Sequence, residues 1–166
     1  MVAEPTNRFA KFTSRARMLL STSQEEAQRL NHHHIGTEHL LLAVTQDPEC
    51  MAAKALSKLG VDLGKIRSAV EYTIGREDWL APGELGLTKQ AQEVIKLASD
   101  EARTNYCLHI GTEHLLIGLL REAEGVAAGA LGSLHVTLEG AKRVTYSIPP
   151  WTRRDLESLP APSTAV

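Results

Sequence analysis

Ile35-Gly36-Thr37-Glu38-His39-Leu40-Leu41 recurs, letter for letter, at Ile110–Leu116, 75 residues further on. Holding that offset, residues 13–66 and 88–141 align without a gap and agree at 20 of 54 positions, far above chance. The identities include Thr13/Thr88, Ala16/Ala91, Glu26-Ala27/Glu101-Ala102, Ala52-Ala53/Ala127-Ala128, Leu56/Leu131, Leu59/Leu134 and Val61/Val136. A tandem duplication organises the chain, and the architecture follows from what one copy folds into.

Each copy reads as four helices. Thr13 and Thr88 stand where a hydroxyl can cap the first helix. Behind them Ala16, Leu19, Leu20, Ala27 and Leu30, or Ala91, Val94, Ile95, Ala98 and Ala102, recur at near-helical spacing. The second helix opens at Gly-Thr of the repeated motif, with Thr37 or Thr112 as the expected cap and Leu40, Leu41, Val44 or Leu115, Leu116, Leu119 as the buried stripe. The third is expected over 48–59, stopped by Gly60, and over 125–134 in the second copy. The fourth runs from about Asp62 to Ile74; its partner starts near Thr137 and ends before Pro149-Pro150. No run alternates with period two, so no sheet is expected.

The expected fold is an all-α, eight-helix pseudo-twofold bundle. It divides into an N-terminal segment (1–12), repeat one (13–74), a linker (75–87), repeat two (88–148) and a flexible Pro-rich tail (149–166). One repeat of about 60 residues is marginal alone, so the two should share a core. That core should include Leu19, Leu20, Leu40, Leu41, Leu56, Leu59, Val94, Ile95, Leu115, Leu116, Leu131 and Leu134. Trp79 or Leu80 is expected to tie the linker to the bundle. Trp151, Arg153 and Arg154 could make the tail a docking segment.

Composition narrows the function. The 166 residues are 43% hydrophobic, 23% charged and 4% aromatic, a globular balance. Eighteen Lys+Arg against twenty Asp+Glu leave a net charge of −2, which argues against a nucleic-acid partner held by bulk charge. No stretch is long and apolar enough to span a membrane. The opening MVAEPTNRFAKF has no apolar run, so no secretory signal is expected. Cys50 and Cys107 read as buried thiols in a reducing, cytoplasmic setting. GxxxxGK[ST] is absent; Gly60 to Gly64-Lys65 is one residue short and is followed by Ile66, so ATP hydrolysis by that route is not expected.

Longer stretches carry a resemblance: FTSRA (12–16), SQEEAQRLNHHHIGTEHLLL (23–42), AAKAL (52–56) and DEARTNYCLHIGTEHLLIGLLREAEGVAAGAL (100–131). These resemble the N-terminal domain of Clp-type protein unfoldases, the double Clp repeat, above all its ClpC branch, over about residues 8–148. In that family the domain precedes ATPase modules, which these 166 residues do not contain. The resemblance therefore implies the part that captures substrates and adaptors in protein quality control, without enzymatic activity of its own.

Glu38 and Glu113 fall in the first turn of a helix, where the dipole favours a carboxylate. Read on their own, they stabilise helix starts, and His39 and His114 bond to nearby backbone. The resemblance adds a ligand. Some ClpC-type N-domains bind phosphorylated arginine at two pseudo-symmetric sites. By position it implies Glu38 and Glu113 as guanidinium acceptors and the helix starts at Thr13 and Thr88 as the phosphate side. A carboxylate suits a guanidinium fork and free helix N–H groups suit a phosphate. Lys11, Arg15 and Lys89 could add positive charge; Lys89-Gln90 replaces Ser14-Arg15, so the two pockets need not be equal. Phe9 and Lys11 resemble the aromatic-basic segment through which some members contact adaptors or small cyclic peptides, while Phe12 reads as a staple before the Thr13 cap.

Two rivals are weaker. His32, His33, His34 and His39 cluster, but consecutive histidines cannot all point one way and HExxH is absent, so no metal and no cofactor are expected. Cys107 with His109, or Glu38 with His39, lacks the third group that orients a base. The remaining alternative keeps the fold and changes the role: a structural accessory docking onto a Clp unfoldase or protease core.

Overall fold

The computed structural model describes residues 10–75 and 85–158. Repeat one carries α1 (Ser14–Arg29), β1 (His34–Ile35), α2 (Thr37–Gln46), α3 (Met51–Lys58) and α4 (Leu63–Ile74). Repeat two carries β2 (Gly86–Leu87), just before its first helix, then α5 (Lys89–Thr104), α6 (Thr112–Arg121), α7 (Val126–Ser133) and α8 (Leu138–Ser147). A ninth helix, α9 (Pro150–Glu157), follows.

The all-α reading holds, with two departures. A two-residue parallel pair joins His34 to Gly86 and Ile35 to Leu87, and an isolated bridge joins Phe12 to Ile110. Strands of two residues are too short for a period-two pattern, so the sequence hides them. The 75-residue offset turns one pairing into the other: each segment before a first helix pairs with the segment before the second helix of the opposite repeat. Thr13 N–H donates to Ile110 O and Thr88 N–H to Ile35 O, both at 2.9 Å. The second departure is α9. Residues 149–158 were expected as flexible tail, yet α9 packs on α1 and α3 and buries Glu157.

The caps follow the threonines only in part. Thr13 and Thr88 Oγ1 accept from Ala16 and Ala91 N–H at 3.1 Å each. On α2 and α6, however, Gly36 and Gly111 take the cap position, and Thr37 and Thr112 lie inside the helix. Their hydroxyls reach across the pseudo-twofold: Thr37 Oγ1 accepts from Ala127 N–H (3.3 Å) and Thr112 Oγ1 from Ala52 N–H (3.0 Å). Each threonine thus serves a helix start in the opposite repeat. The third helix begins three residues later than Pro48 suggests. Asp47 organises a turn first, accepting from Cys50 N–H on its carbonyl and Glu49 N–H on its carboxylate, and Cys50 Sγ caps α3.

Leu40 to Val44 are buried without a break, and so are Leu115 to Leu119. So α2 and α6 are central helices rather than one-sided stripes. Around them Leu19, Leu56, Val94 and Leu131 are buried, with Leu20, Leu59, Ile95 and Leu134 partly so. Trp79 and Leu80 lie outside the described residues.

The duplication also repeats a buried charge. Glu26 accepts from Arg67 (2.6 Å), Gln46 (2.8 Å) and Arg29 (2.9 Å). Burial alone would raise its pKa; these hydrogen bonds, Arg67 foremost, outweigh it and hold the carboxyl at about 2. Glu101, 75 residues on, accepts from Tyr146 Oη (2.8 Å) and faces Lys142 (3.5 Å) and Arg121 (3.6 Å). Lys142 is the counterpart of Arg67 by the same offset.

Backbone conformation repeats too. Gly60 (φ 79°) and His135 (φ 62°) end α3 and α7, each followed by a valine N–H that closes back on Leu56 or Leu131 O. This is a C-terminal cap that favours glycine. His135 carries a Cβ in the left-handed region, so His135→Gly is expected to stabilise the fold by about 1 kcal/mol. Urea unfolding checks it; a lower midpoint would show that the imidazole makes compensating contacts.

Candidate functional site

The strand pairing decides which residues meet. Because Thr13 N–H bonds Ile110 O, the start of α1 lies beside Gly111–His114 of the other repeat; Thr88 likewise lies beside Gly36–His39. The sites are therefore crossed: Thr13 goes with Glu113, and Thr88 with Glu38. The repeated motif alone does not reveal this pairing, which depends on the short strands.

Each glutamate folds back over the glycine two residues before it. A Cβ on Gly36 or Gly111 would overlap the Glu38 or Glu113 carboxylate. Both glycines are extended (φ −101° and −97°), so what they supply is space for the folded-back carboxylate, not a special turn; with a Cβ there the glutamate would have to swing away. The histidines lock the motif. His39 Nδ1 accepts from Gly36 N–H (2.8 Å) and His114 Nδ1 from Gly111 N–H (3.0 Å). Burial pushes both imidazoles down to about 4, so they are neutral at pH 7. Their approaches to Glu38 (3.8 Å) and Glu113 (3.2 Å) are thus not ion pairs.

With Nδ1 accepting, His39 carries its proton on Nε2 and donates to His32 Nδ1 (2.7 Å); His32 Nε2–H then points to Gly75 O (3.2 Å). His32, Glu38 and His39 do bring ligand atoms within 4.8 Å of one another. A cation there would have to displace this hydrogen-bond chain. In repeat two, Cys107 replaces His32, and His114 Nε2 has no partner among the described residues.

The two pockets differ. Glu38 is one-fifth exposed, whereas Glu113 is buried. The difference comes from α9, which covers the Glu113 pocket. That pocket of about 270 Å³ is lined by Thr13, Tyr106, Cys107, Glu113, His114, Arg153 and Glu157, among others. Burial, then the charge of Glu157, pushes the Glu113 carboxyl well above the usual range. Arg15, expected to add charge near Thr13, is committed to Asp47 through two 2.8 Å contacts. Lys11 and Lys89 are exposed; Lys11 also takes Ile110 N–H on its carbonyl. Phe9 lies outside the described residues. Cys50 is buried, its thiol raised to about 12 by burial, while Cys107 is only partly buried.

The family model for the Clp repeat (R) N-terminal domain matches residues 11–128 and 86–160. The chain belongs to the Clp repeat N-terminal domain family. It is 47% identical over 135 residues to the negative regulator of genetic competence ClpC/MecB of Bacillus subtilis, covering 81% of this chain and 16% of that protein. It is 46% identical to the chaperone protein ClpB of Oceanobacillus iheyensis, covering 81% and 17%. The Clp repeat protein thus spans about one-sixth of the length of these relatives. Among solved structures, the Hsp104 N-terminal domain from Candida albicans superposes with a TM-score of 0.74 at 16% identity, covering 89% of this chain and 99% of that one. The N-terminal domain of ClpD from Arabidopsis thaliana gives 0.67 at 24%, covering 87% and 97%. A ClpV N-domain in complex with a VipB peptide shares the fold with a TM-score of 0.59 at 14% identity, covering 80% and 89%. No helix among the described residues is long and apolar enough to cross a membrane.

Proposed function

We propose that this Clp repeat protein is a non-catalytic binding module in cytoplasmic, Clp-dependent protein quality control, and that it takes substrate or adaptor proteins carrying arginine phosphate. The observation that carries the reading is the crossed geometry, which sets a carboxylate of one repeat beside the capped helix start of the other, held by 2.9 Å strand bonds. A guanidinium wants the first and a phosphate the second. A binding role also suits the neutral, structurally committed histidines and the deeply buried Cys50 thiol, none of them poised for acid–base or nucleophilic work. The VipB peptide bound by a ClpV N-domain is a precedent for peptide capture on this fold.

Calorimetric titration with free phosphoarginine tests it, with arginine and phosphoserine as controls. Heat is expected with phosphoarginine only. Glu38→Ala with Glu113→Ala should weaken binding at least tenfold while the far-UV spectrum stays unchanged. Parental affinity in that variant would overturn the site assignment.

One observation favours docking as a second role. Tyr106 (95% exposed), Leu108 (83%) and Trp151 (68%) place large apolar groups in water around α9. Capture of a Clp unfoldase or protease core by the protein, lost on Trp151→Ala with Leu108→Ala, would support an accessory role.

A further inference from the structure

We infer that α9 is a resident ligand of the Glu113 pocket: it seats the Glu157 carboxylate at the anion position and closes that pocket, leaving the Glu38 pocket as the one open to an external ligand. The inference rests on the arginine-phosphate reading above and adds its regulation.

An acidic side chain in the last turn of a helix is misplaced with respect to its own dipole and normally turns to water. Glu157 is instead 2% exposed. It can be buried because three helix starts converge on it. Thr13 Oγ1, which caps α1, donates at 3.0 Å. Met51 N–H, the first of α3, donates at 3.2 Å. Thr112, the first residue of α6, donates both its N–H at 3.2 Å and its hydroxyl. Four donors at three positive helix ends make an anion site. The carboxylate of α9 occupies it.

Two further observations mark the site as one built for a ligand. Glu113 is 4% exposed, and its Oε2 has no hydrogen-bond partner among the described residues. Such an oxygen suits a guanidinium and is wasted on a second carboxylate. Beside it Glu157, with four donors, is the better anion, which leaves Glu113 to carry the proton of the pair. A protonated Glu113 cannot receive a guanidinium ion, so seating α9 disables the pocket chemically as well as sterically. Meanwhile Arg153, one turn before Glu157, lines the same pocket with its guanidinium 5.2 Å over the Tyr146 ring. Thus α9 brings a guanidinium and an anion four residues apart, the two charges that arginine phosphate combines. At the pseudo-equivalent place no carboxylate of the described residues is hydrogen-bonded to Thr88 or Thr37; Glu122 lies close by and accepts from Gly125 N–H at 2.9 Å.

The test titrates full-length variants with free phosphoarginine and follows amide exchange. The parent should bind one equivalent, lost in Glu38→Ala. Glu157→Ala should bind two. Adding Glu38→Ala to Glu157→Ala should leave one equivalent, which Glu113→Ala then removes. A parent Glu38→Ala variant that keeps one bound equivalent, or a Glu157→Ala variant that stays at one, overturns the closure. If no variant responds to phosphoarginine, the ligand reading fails, and exchange decides the seating of α9 separately. The Met51 and Thr112 amides should exchange at least tenfold faster in Glu157→Ala than in the parent. Equal rates would sink the inference.

Discussion

Acidification from pH 7 to pH 4 is expected to remove on the order of 6 kcal/mol of stability, about 3 from each repeat, through His39 and His114. Both imidazoles are held near 4 in the fold, against an ordinary value of 6.5. Between those values the unfolded chain binds protons that the native state refuses. The stability tied to each histidine is therefore whole above pH 6.5 and lost as the pH falls toward 4. The structural reason is the same twice: Nδ1 accepts a backbone N–H, so a second proton would have to break that bond on a buried ring. Glu26 extends the loss at lower pH, since its folded value of about 2 lies below the ordinary 4.5. Glu113 opposes it, because a raised carboxyl binds its proton first in the fold and so gains stability as the pH falls. Urea unfolding at a series of pH values separates these contributions. The double variant His39→Gln, His114→Gln keeps an acceptor for the Gly36 and Gly111 N–H groups but cannot titrate. It should fold at pH 7 and lose most of the slope between pH 6.5 and 4. A slope equal to the parent's would place the acid sensitivity elsewhere.

The same residues show what a reader of the sequence can see. The duplication, the helix count per repeat and the Thr13 and Thr88 caps follow from local pattern, and local pattern is what hydrophobic spacing and cap chemistry report. The pairing of Thr13 with Glu113 is not local. It depends on an isolated bridge 98 positions long and, in the other site, a two-residue strand pair 52 positions apart, both too short to leave a signature, so the motif names the right residues but not which ones meet. Thr37 and Thr112 mislead for a related reason: a threonine at a helix start normally caps its own helix, and here the opposite repeat supplies a better-placed donor. The tail misleads most. Four prolines within 149–166 suggest an open chain, yet Pro150 is tolerated in the first turn of a helix. Nothing in PWTRRDLE announces that its last residue finds four donors on three other helices. The i, i+4 spacing of Arg153 and Glu157, which sets opposite charges on one helix face, signals the helix but not its docking.

Packing of α5 on α6 yields the largest single-site effect. Gly118 is the tightest glycine of that contact: a Cβ there would stand 2.6 Å from Val94 O and 3.3 Å from Val94 Cγ1. The obstacle is a backbone carbonyl inside α5, which cannot turn aside as a side chain can. Its counterpart in repeat one, by the 75-residue offset, is Ala43, so the α1–α2 contact accepts a methyl where α5–α6 does not. Gly118→Val must therefore push α5 away from the central α6, and the expected loss is about 3 kcal/mol or more, beyond any gain in helix propensity. Gly129, on the exposed side of α7, meets nothing within 4 Å. Gly129→Ala should instead stabilise by about 0.5–1 kcal/mol, since only the propensity term acts. The two substitutions, each at a glycine within one repeat, thus have opposite expected signs for a reason that distance alone supplies. Denaturant midpoints measured side by side decide it. If Gly118→Val unfolds at the parent's midpoint, the helices are not in the close contact described, and the packing of repeat two would need a different account.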